Sequence, residues 1–125
     1  MDTKKSTTLI TRFLDALNAA DIEAVLACLH EDIVQEVGDE RQFGRDAFRF
    51  HLGARARRFD EQIGDIVVMA SADGTRAAAE FTRRGRLKMA GATGDAGDHY
   101  SVAAGMFFAI EDGVIVRITP HNFVE

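Results

Sequence analysis

The chain has 125 residues, a length that fits one domain built around one hydrophobic core. Apolar residues make up 46% and charged residues 28%, as in ordinary globular proteins, and the formal net charge of -5 argues against a nucleic-acid-binding surface. No apolar run approaches the roughly 20 residues that a membrane span requires, and the N-terminal residues lack the apolar centre of a signal peptide. We therefore expect a cytoplasmic protein with no membrane or nucleic-acid partner.

The first third of the sequence predicts two helices joined by a tight break. Apolar residues recur at helical spacing from Leu9 to Leu17, and the cap is expected from the hydroxyl residues 6–8. Asp21 can cap a second helix, whose apolar stripe runs from Ile22 to Leu29. Cys28 flanks that stripe and is interpreted as a small buried hydrophobic residue, because no basic neighbour supports a reactive thiol. A single cysteine cannot form an internal disulfide, which suits a reducing compartment.

A short strand and a third helix follow. Alternation from Ile33 to Val37 places Gln35 on one face with these two residues and Glu36 on the opposite face. Residues 38–40 break the strand, and residues 45–58 predict a helix. Its polar side carries four arginines that we expect to be solvated: Arg49, Arg55, Arg57 and Arg58.

The remaining sequence predicts four strands, over residues 62–70, 75–89, 100–110 and 114–123. The segment from Met106 to Ile110 is apolar on both faces. The helices can cover only one face of the sheet, so the other face suggests a subunit interface, and we expect a homodimer.

Arg83 breaks the apolar pattern of the longest strand. By parity it shares a face with Ala79, Phe81 and Leu87. An unpaired buried guanidinium is very costly, so it must meet a carboxylate, water or a ligand. Two interpretations follow. Arg83 is a structural arginine that pairs with an acid or reaches solvent, or it lines a cavity and contacts an anionic or carbonyl group of a small molecule.

Four further polar residues are candidates for the same cavity. Gln35 is either a hydrogen-bonded core glutamine or a ligand contact, and Glu36 either pairs with an arginine or acts as a base. Tyr100 either packs with its hydroxyl at the rim or orients a ligand. His121 is either exposed or serves as an acid or base, because histidine titrates near neutrality.

Metal and nucleotide motifs are absent from the sequence. His30, His51 and His99 share no metal-binding spacing, and CxxC, HExxH, GxxxxGK[ST] and GxGxxG patterns do not occur. We therefore expect neither a metal nor a cofactor.

Three segments resemble the nuclear transport factor 2-like superfamily. RFLDALNAADIEAVLACLHEDIV (residues 12–34), AAAEFT (77–82) and GMFFAIEDGVIVRIT (105–119) are similar to ketosteroid isomerase and to SnoaL-like polyketide cyclases. The resemblance covers nearly the whole chain and is closest to the ketosteroid isomerase-related proteins, whose function is not established. It implies a cystatin-like fold with a cavity and leaves the chemistry open.

The catalytic residues of ketosteroid isomerase do not carry over. Its tyrosine donor, aspartate base and protonated aspartic acid match Phe13, Val37 and about Gly105, none of which can move a proton. Epoxide hydrolases of the superfamily use an aspartate, an arginine and an aspartate; Arg83 is a candidate only for the arginine. Polyketide cyclases use an acid and a histidine, for which Glu36 and His121 are the candidates.

These observations predict a single SnoaL-like domain over residues 1–125 with an α+β fold of the cystatin-like, nuclear transport factor 2-like type. Three N-terminal helices are expected to pack on a strongly curved, mainly antiparallel sheet and to enclose an apolar cavity for a small hydrophobic molecule with one polar group. The predicted wall comprises Phe13, Gln35, Val37, Phe81, Arg83, Phe107, Ile118 and Asn122.

Two functional versions of this cavity remain open. In an enzyme of the isomerase, cyclase or hydrolase type, Arg83 would stabilise negative charge on an oxygen, and Glu36 or His121 would move a proton. Gln35 and Tyr100 would orient the substrate. In the alternative, the same cavity binds a ligand without turnover, or it is a filled core in a dimerising module.

Overall fold

The computed structural model describes residues 2–91 and 94–122, which form three helices and one six-stranded sheet. The elements in chain order are α1 (Thr3–Asn18), α2 (Ile22–Ala27), β1 (Leu29–Val37), β2 (Glu40–Phe43), α3 (Arg45–Arg58), β3 (Phe59–Ala70), β4 (Arg76–Leu87), β5 (His99–Glu111) and β6 (Val114–Asn122). The strand order is β2-β1-β6-β5-β4-β3. Strands β1 and β6 are parallel, and the other neighbours are antiparallel.

The α+β fold is confirmed, and the prediction of three N-terminal helices on a mainly antiparallel sheet is matched in part. Only α1 and α2 precede the first strand, and α3 follows the hairpin of β1 and β2. Gly38 has a φ angle of +61°, a conformation that glycine adopts without strain, so the chain reverses there. The short strand β2 therefore forms where the sequence analysis expected only a break.

The start of α1 also differs from the prediction. Its N-cap is Asp2, whose carboxylate accepts a hydrogen bond from the backbone N–H of Lys5 at 2.8 Å. Ser6 is fully buried inside the helix, and its hydroxyl donates to the carbonyl oxygen of Gly74. The serine thus holds α1 against the turn between β3 and β4. For α2, Asp21 is the cap, as predicted.

Asn18, at the end of α1, fixes that helix to β3. Its side-chain amide nitrogen donates to the carbonyl oxygen of Ile63 at 2.9 Å, and its amide oxygen accepts from the Ile63 N–H at 2.8 Å. The side chain thereby satisfies both backbone polar groups of one strand residue, as a neighbouring strand would. This clamp holds β3 at Ile63, only two residues from Glu61.

The helices cover one face of the sheet, and the core lies between them. Here this face is called the inner face; its buried side chains pack with those of α1 and α3, as in the edge-to-face pair of Phe13 and Phe108. Register shifts occur within three strand pairs, and such bulges bend strands. The bent sheet and the helices leave an internal cavity.

The opposite, outer face carries exposed apolar side chains. Val67, Met69 and Phe107 are 48%, 48% and 53% exposed, respectively. Met69 and Phe107 both pair with Ala78, so they occupy one row across three strands. Phe123, which the sequence analysis placed in the last strand, lies outside the described residues. None of the helices that the structure describes is both long and apolar enough to cross a membrane.

Candidate functional site

A cavity of about 490 Å³ lies between the helices and the inner face of the sheet. Most of its wall is apolar, with side chains from both helical and strand elements: Phe13, Leu17, Val25, Val37, Phe48, Leu52, Ile63, Met106 and Ile118. Polar side chains enter this wall from α3, β1, β3 and β4: His51, Arg55, Gln35, Glu61 and Arg83. An apolar cavity with a few converging polar groups is the usual form of a small-molecule site.

Arg83 occupies the position that its strand parity predicted. Its side chain is 12% exposed and lines the cavity, with its guanidinium 5.2 Å from the ring centroid of Phe81. Its Nη1 atom donates to Oε2 of Glu61 at 3.2 Å. The structure therefore combines the two interpretations of the sequence, because the arginine is paired with an acid and also faces the cavity.

Glu61 accepts hydrogen bonds from three side chains. Arg55 binds it with two donors, Nε to Oε2 at 2.7 Å and Nη2 to Oε1 at 3.0 Å, and the Tyr100 hydroxyl donates to Oε1 at 2.6 Å. Together with Arg83 these residues are called the Glu61 cluster. Burial by itself would raise the pKa of Glu61, but the hydrogen bonds from Arg55 and Tyr100 and the two guanidinium charges lower it below its ordinary value. Glu61 is thus held as a carboxylate.

A glycine makes room for this cluster. In the strand register Glu61 pairs with Gly85, and Gly85 pairs with Tyr100, so the acid and the tyrosine flank a residue with no side chain. A Cβ atom on Gly85 would collide with the carbonyl oxygen of Asp60 and would lie 2.9 Å from the Cβ of Glu61. The close approach of β3 to β4 therefore requires glycine at this position.

Two buried polar atoms at the cavity have no hydrogen-bond partner within the part of the chain that the structure describes. They are Nε of Arg83 and Oε1 of Gln35. One is a donor and the other an acceptor. Burying such atoms unpaired is unfavourable, so the described residues leave one donor and one acceptor unsatisfied beside the cavity.

His51 is the titratable group that the sequence analysis considered only as a metal ligand. It lies on α3, lines the cavity and packs near Phe48, with ring centroids 6.5 Å apart. Burial, followed by the positive charges of Arg55 and Arg83, lowers its pKa below the ordinary histidine value. The imidazole is therefore neutral at neutral pH and can accept a proton.

The residues predicted to form the cavity wall, together with Tyr100, which was predicted to orient a ligand, divide into two groups. Phe13, Gln35, Val37, Arg83, Ile118 and Asn122 line the cavity. Phe81, Tyr100 and Phe107 do not belong to its wall. Phe81 is buried in the core beneath Arg83, Tyr100 reaches the site only through Glu61, and Phe107 lies on the outer face. Phe107 was misplaced because the segment around it is apolar on both faces. Alternation of side chains could therefore not show which face of this strand points inward.

Glu36 does not enter the cavity. It lies on the outer face of β1, where its carboxylate accepts a hydrogen bond from Thr119 and lies 3.5 Å from the Nε of Arg41. The hydrogen bond from Thr119, more than the nearby arginine charges, lowers the pKa of Glu36. The interpretation as an arginine partner therefore holds, and the alternative of a base in the cavity is wrong.

His121 is exposed and belongs to the cavity lining, and its ring packs edge-on against Phe107 with a centroid distance of 5.7 Å. By alternation along β6, Ile118 and Asn122 point inward, and His121 points to the outer face. The imidazole of His121 is thus directed away from Arg83.

Sequence reasoning missed Arg55, Glu61 and His51. The prediction that Arg55 is solvated is wrong, because β3 passes beneath α3 and brings Glu61 to it. The predicted strand began at residue 62, whereas β3 begins at Phe59, so Glu61 was left out. The alternation of the strand could have identified Glu61. It lies two residues from the buried Ile63, so the two side chains share the inward face. Among the described residues, no group of three or more His, Cys, Asp or Glu side chains is arranged to hold a metal.

Comparison with known proteins supports the resemblance seen in the sequence. A family model described as the SnoaL-like domain matches residues 10–118. A candidate polyketide cyclase from Pseudomonas putida is 39% identical, with a TM-score of 0.87 over 93% of this chain and 90% of that chain. Another, from Silicibacter sp., is 31% identical, with a TM-score of 0.91 over 99% of this chain and 93% of that chain.

A more distant structure shares the fold alone. It is a nuclear transport factor 2-like protein of unknown function from Burkholderia pseudomallei, 16% identical, with a TM-score of 0.80 over 94% of this chain and 90% of that chain. No curated protein sequence matches the chain. The predicted resemblance to SnoaL-like proteins and the predicted nuclear transport factor 2-like fold are confirmed.

Proposed function

The chain belongs to the SnoaL-like domain family, and from this premise we propose that its cavity binds a small, mainly apolar molecule through an oxygen that carries or develops negative charge. The supporting observation is the charge of the Glu61 cluster. Two guanidinium groups share one carboxylate, which leaves one positive charge in excess inside an apolar wall. A cation in such a medium attracts an oxyanion or a polarised carbonyl more strongly than it would in water.

Within the cluster, Arg83 is the residue best placed to contact the ligand. Arg55 directs two of its donors at Glu61, whereas Nε of Arg83 is buried and unpaired among the described residues. Glu61 itself is a poor proton acceptor, because both of its oxygens already accept hydrogen bonds and its pKa is lowered. We therefore assign it the role of positioning Arg83.

This proposal is tested by the affinity for 2-naphthoate, an apolar aromatic carboxylate, measured by isothermal titration calorimetry. Replacing Arg83 with methionine should weaken binding about 10- to 100-fold, the usual worth of a hydrogen bond to a charged group. Arg84→Met is the matched control, since Arg84 is the next residue on β4 but points outward to Asp65. The proposal fails if the neutral analogue 2-methylnaphthalene binds as tightly as 2-naphthoate, or if Arg83→Met binds like the control.

In the enzymatic version of this function, His51 accepts a proton. A carbon next to the substrate carbonyl loses its proton to a ring nitrogen of His51, and the electron pair of that bond moves onto the carbonyl oxygen, which Arg83 stabilises. Return of the proton to another atom completes an isomerisation. His51 supports this role better than Glu36, which lies on the outer face, or His121, whose ring packs against Phe107 of that face. His51 lines the cavity close enough to Arg83 for that charge to lower its pKa, and the lowered pKa keeps it neutral.

Exchange of the α protons of 2-tetralone in heavy water, followed by NMR, separates the enzymatic version from the non-catalytic one. An enzyme should accelerate the exchange above the rate in buffer, and His51→Gln should lose most of that acceleration while it still binds 2-naphthoate. A non-catalytic receptor should bind 2-naphthoate with no acceleration. In that case the cavity is a ligand-binding module, which remains the alternative function.

The oligomeric state and location belong to the same proposal. The exposed row of Met69 and Phe107 on the outer face supports a homodimer in which a second copy covers this apolar surface. A cytoplasmic location is supported by Cys28, a buried free cysteine that suits a reducing compartment. Fractionation of cells that express the protein would test the location.

A further inference from the structure

The side-chain amide of Gln35 is a second polar feature of the cavity wall. Gln35 is 5% exposed and lines the cavity, and its Oε1 atom is buried without a hydrogen-bond donor in the described residues. An amide oxygen in such a position loses its hydrogen bonds to water and gains none from the protein. This cost is difficult to explain unless a molecule in the cavity provides the donor.

Among the described residues, no neighbouring side chain provides it. On β1 Gln35 lies between the inward residues Ile33 and Val37, and its register partners are Ile118 on β6 and Gln42 on β2. The first three of these side chains are hydrocarbon and have nothing to donate, and the amide of Gln42 forms no hydrogen bond to Oε1 of Gln35. Two charged donors of the cavity wall, the guanidinium groups of Arg55 and Arg83, form hydrogen bonds with Glu61.

We propose that the ligand carries a hydroxyl group that donates to Oε1 of Gln35, in addition to the oxygen that Arg83 receives. The ligand class is then a hydroxylated apolar acid or ketone. This inference rests on the proposed function, because it takes the contact with Arg83 as given. The cavity offers one unpaired donor, at Arg83, and one unpaired acceptor, at Gln35, and a molecule with a carbonyl or carboxylate at one point and a hydroxyl at another satisfies both.

The test compares 2-naphthoate with the positional isomers of hydroxy-2-naphthoate and with their methoxy analogues. At least one hydroxy isomer should bind the wild-type protein about 10-fold more tightly than 2-naphthoate, as one added buried hydrogen bond predicts. Its methoxy analogue should show no such gain, because a methoxy group cannot donate. Gln35→Leu should abolish the gain from the hydroxyl, so that this variant binds the hydroxy isomer and 2-naphthoate with the same affinity.

Gln42→Leu is the matched control. Gln42 lies on β2 directly opposite Gln35 in the register but is not part of the cavity wall, so this variant should keep the full gain. The inference is overturned if no hydroxy isomer gains affinity, if the methoxy analogues gain equally, or if Gln35→Leu retains the gain. In each of these cases 2-naphthoate still binds, and the proposed function stands. Failure of 2-naphthoate itself to bind would overturn both.

Thermal unfolding without ligand gives an independent readout. If Gln35 is kept for a ligand, Gln35→Leu replaces an unpaired amide with an apolar side chain of similar size and should unfold at the same or a higher temperature. A glutamine with a structural role would behave in the opposite way. A fall of several degrees in the unfolding temperature of Gln35→Leu therefore contradicts the inference.

Discussion

Two carboxylates on opposite faces of one sheet have similar partners and different surroundings. Glu61, on the inner face, binds two arginines and a tyrosine hydroxyl, and its side chain is 14% exposed. Glu36, on the outer face, binds one arginine and a threonine hydroxyl and is 28% exposed, while its partner Arg41 is 62% exposed. Burial of both partners decides whether such an ion pair is important for the structure, because water screens the exposed pair.

The largest expected difference between the two faces is in stability. Glu61→Ala leaves the Arg83 side chain, which is only 12% exposed, beside the half-buried Arg55 with no acid, so the free energy of unfolding should fall by about 3 kcal/mol or more. Glu36→Ala removes a pair that water already screens and should change stability far less. Urea-induced unfolding followed by circular dichroism measures both variants. Equal losses would show that burial does not separate the two carboxylates.

The next largest effect concerns the glycine that lets the inner cluster form. Gly85→Ala introduces a methyl group against the backbone of Asp60, so we expect a loss of about 1–3 kcal/mol in the free energy of unfolding. Gly91→Ala is the matched control, because a Cβ atom there meets nothing within 4 Å and the site lies in a loop. Tolerance of both substitutions would mean that β3 can move away from β4 without cost.

The inner face should also make stability depend on pH, because His51 lines the cavity there. Its pKa is lower in the folded state than in the unfolded chain, so the unfolded state binds more protons between the two values. The contribution of His51 to the free energy of unfolding is then fully present above its ordinary pKa of about 6.5. It is lost as the pH falls toward the pKa of His51 in the folded state. Unfolding curves of His51→Gln should lack this part of the slope, and the exposed control His99→Gln should retain it.

The smallest effect on the stability of a single subunit is expected on the outer face. Phe107→Ser removes an exposed ring that is not part of the core, so the fold should persist while the proposed dimer weakens. Light scattering coupled to size-exclusion chromatography would report the change in mass. A wild-type protein that is monomeric at micromolar concentration would contradict the proposed interface.

Local pattern was sufficient to place Arg83 and Gln35. Side chains alternate along any strand, so the parity of β1 and β4 follows from the residues within each strand. The same rule could not place Phe107, whose neighbours are apolar on both sides. It also failed for Arg55, because two arginines of α3 pair with acids on other elements and only the burial of the acid distinguishes them: Arg49 meets the exposed Glu23, and Arg55 meets the largely buried Glu61.

The sequence alone determined the class of the fold and the inward face of most elements, since helical and strand periodicities are properties of consecutive residues. Only the tertiary structure decided which charges meet. The partner of Arg83 is 22 positions away, on a strand whose approach depends on a glycine, a bulge and the clamp at Asn18. Such contacts depend on how the backbones of distant strands pack across the sheet. The pattern of a few consecutive residues cannot predict them.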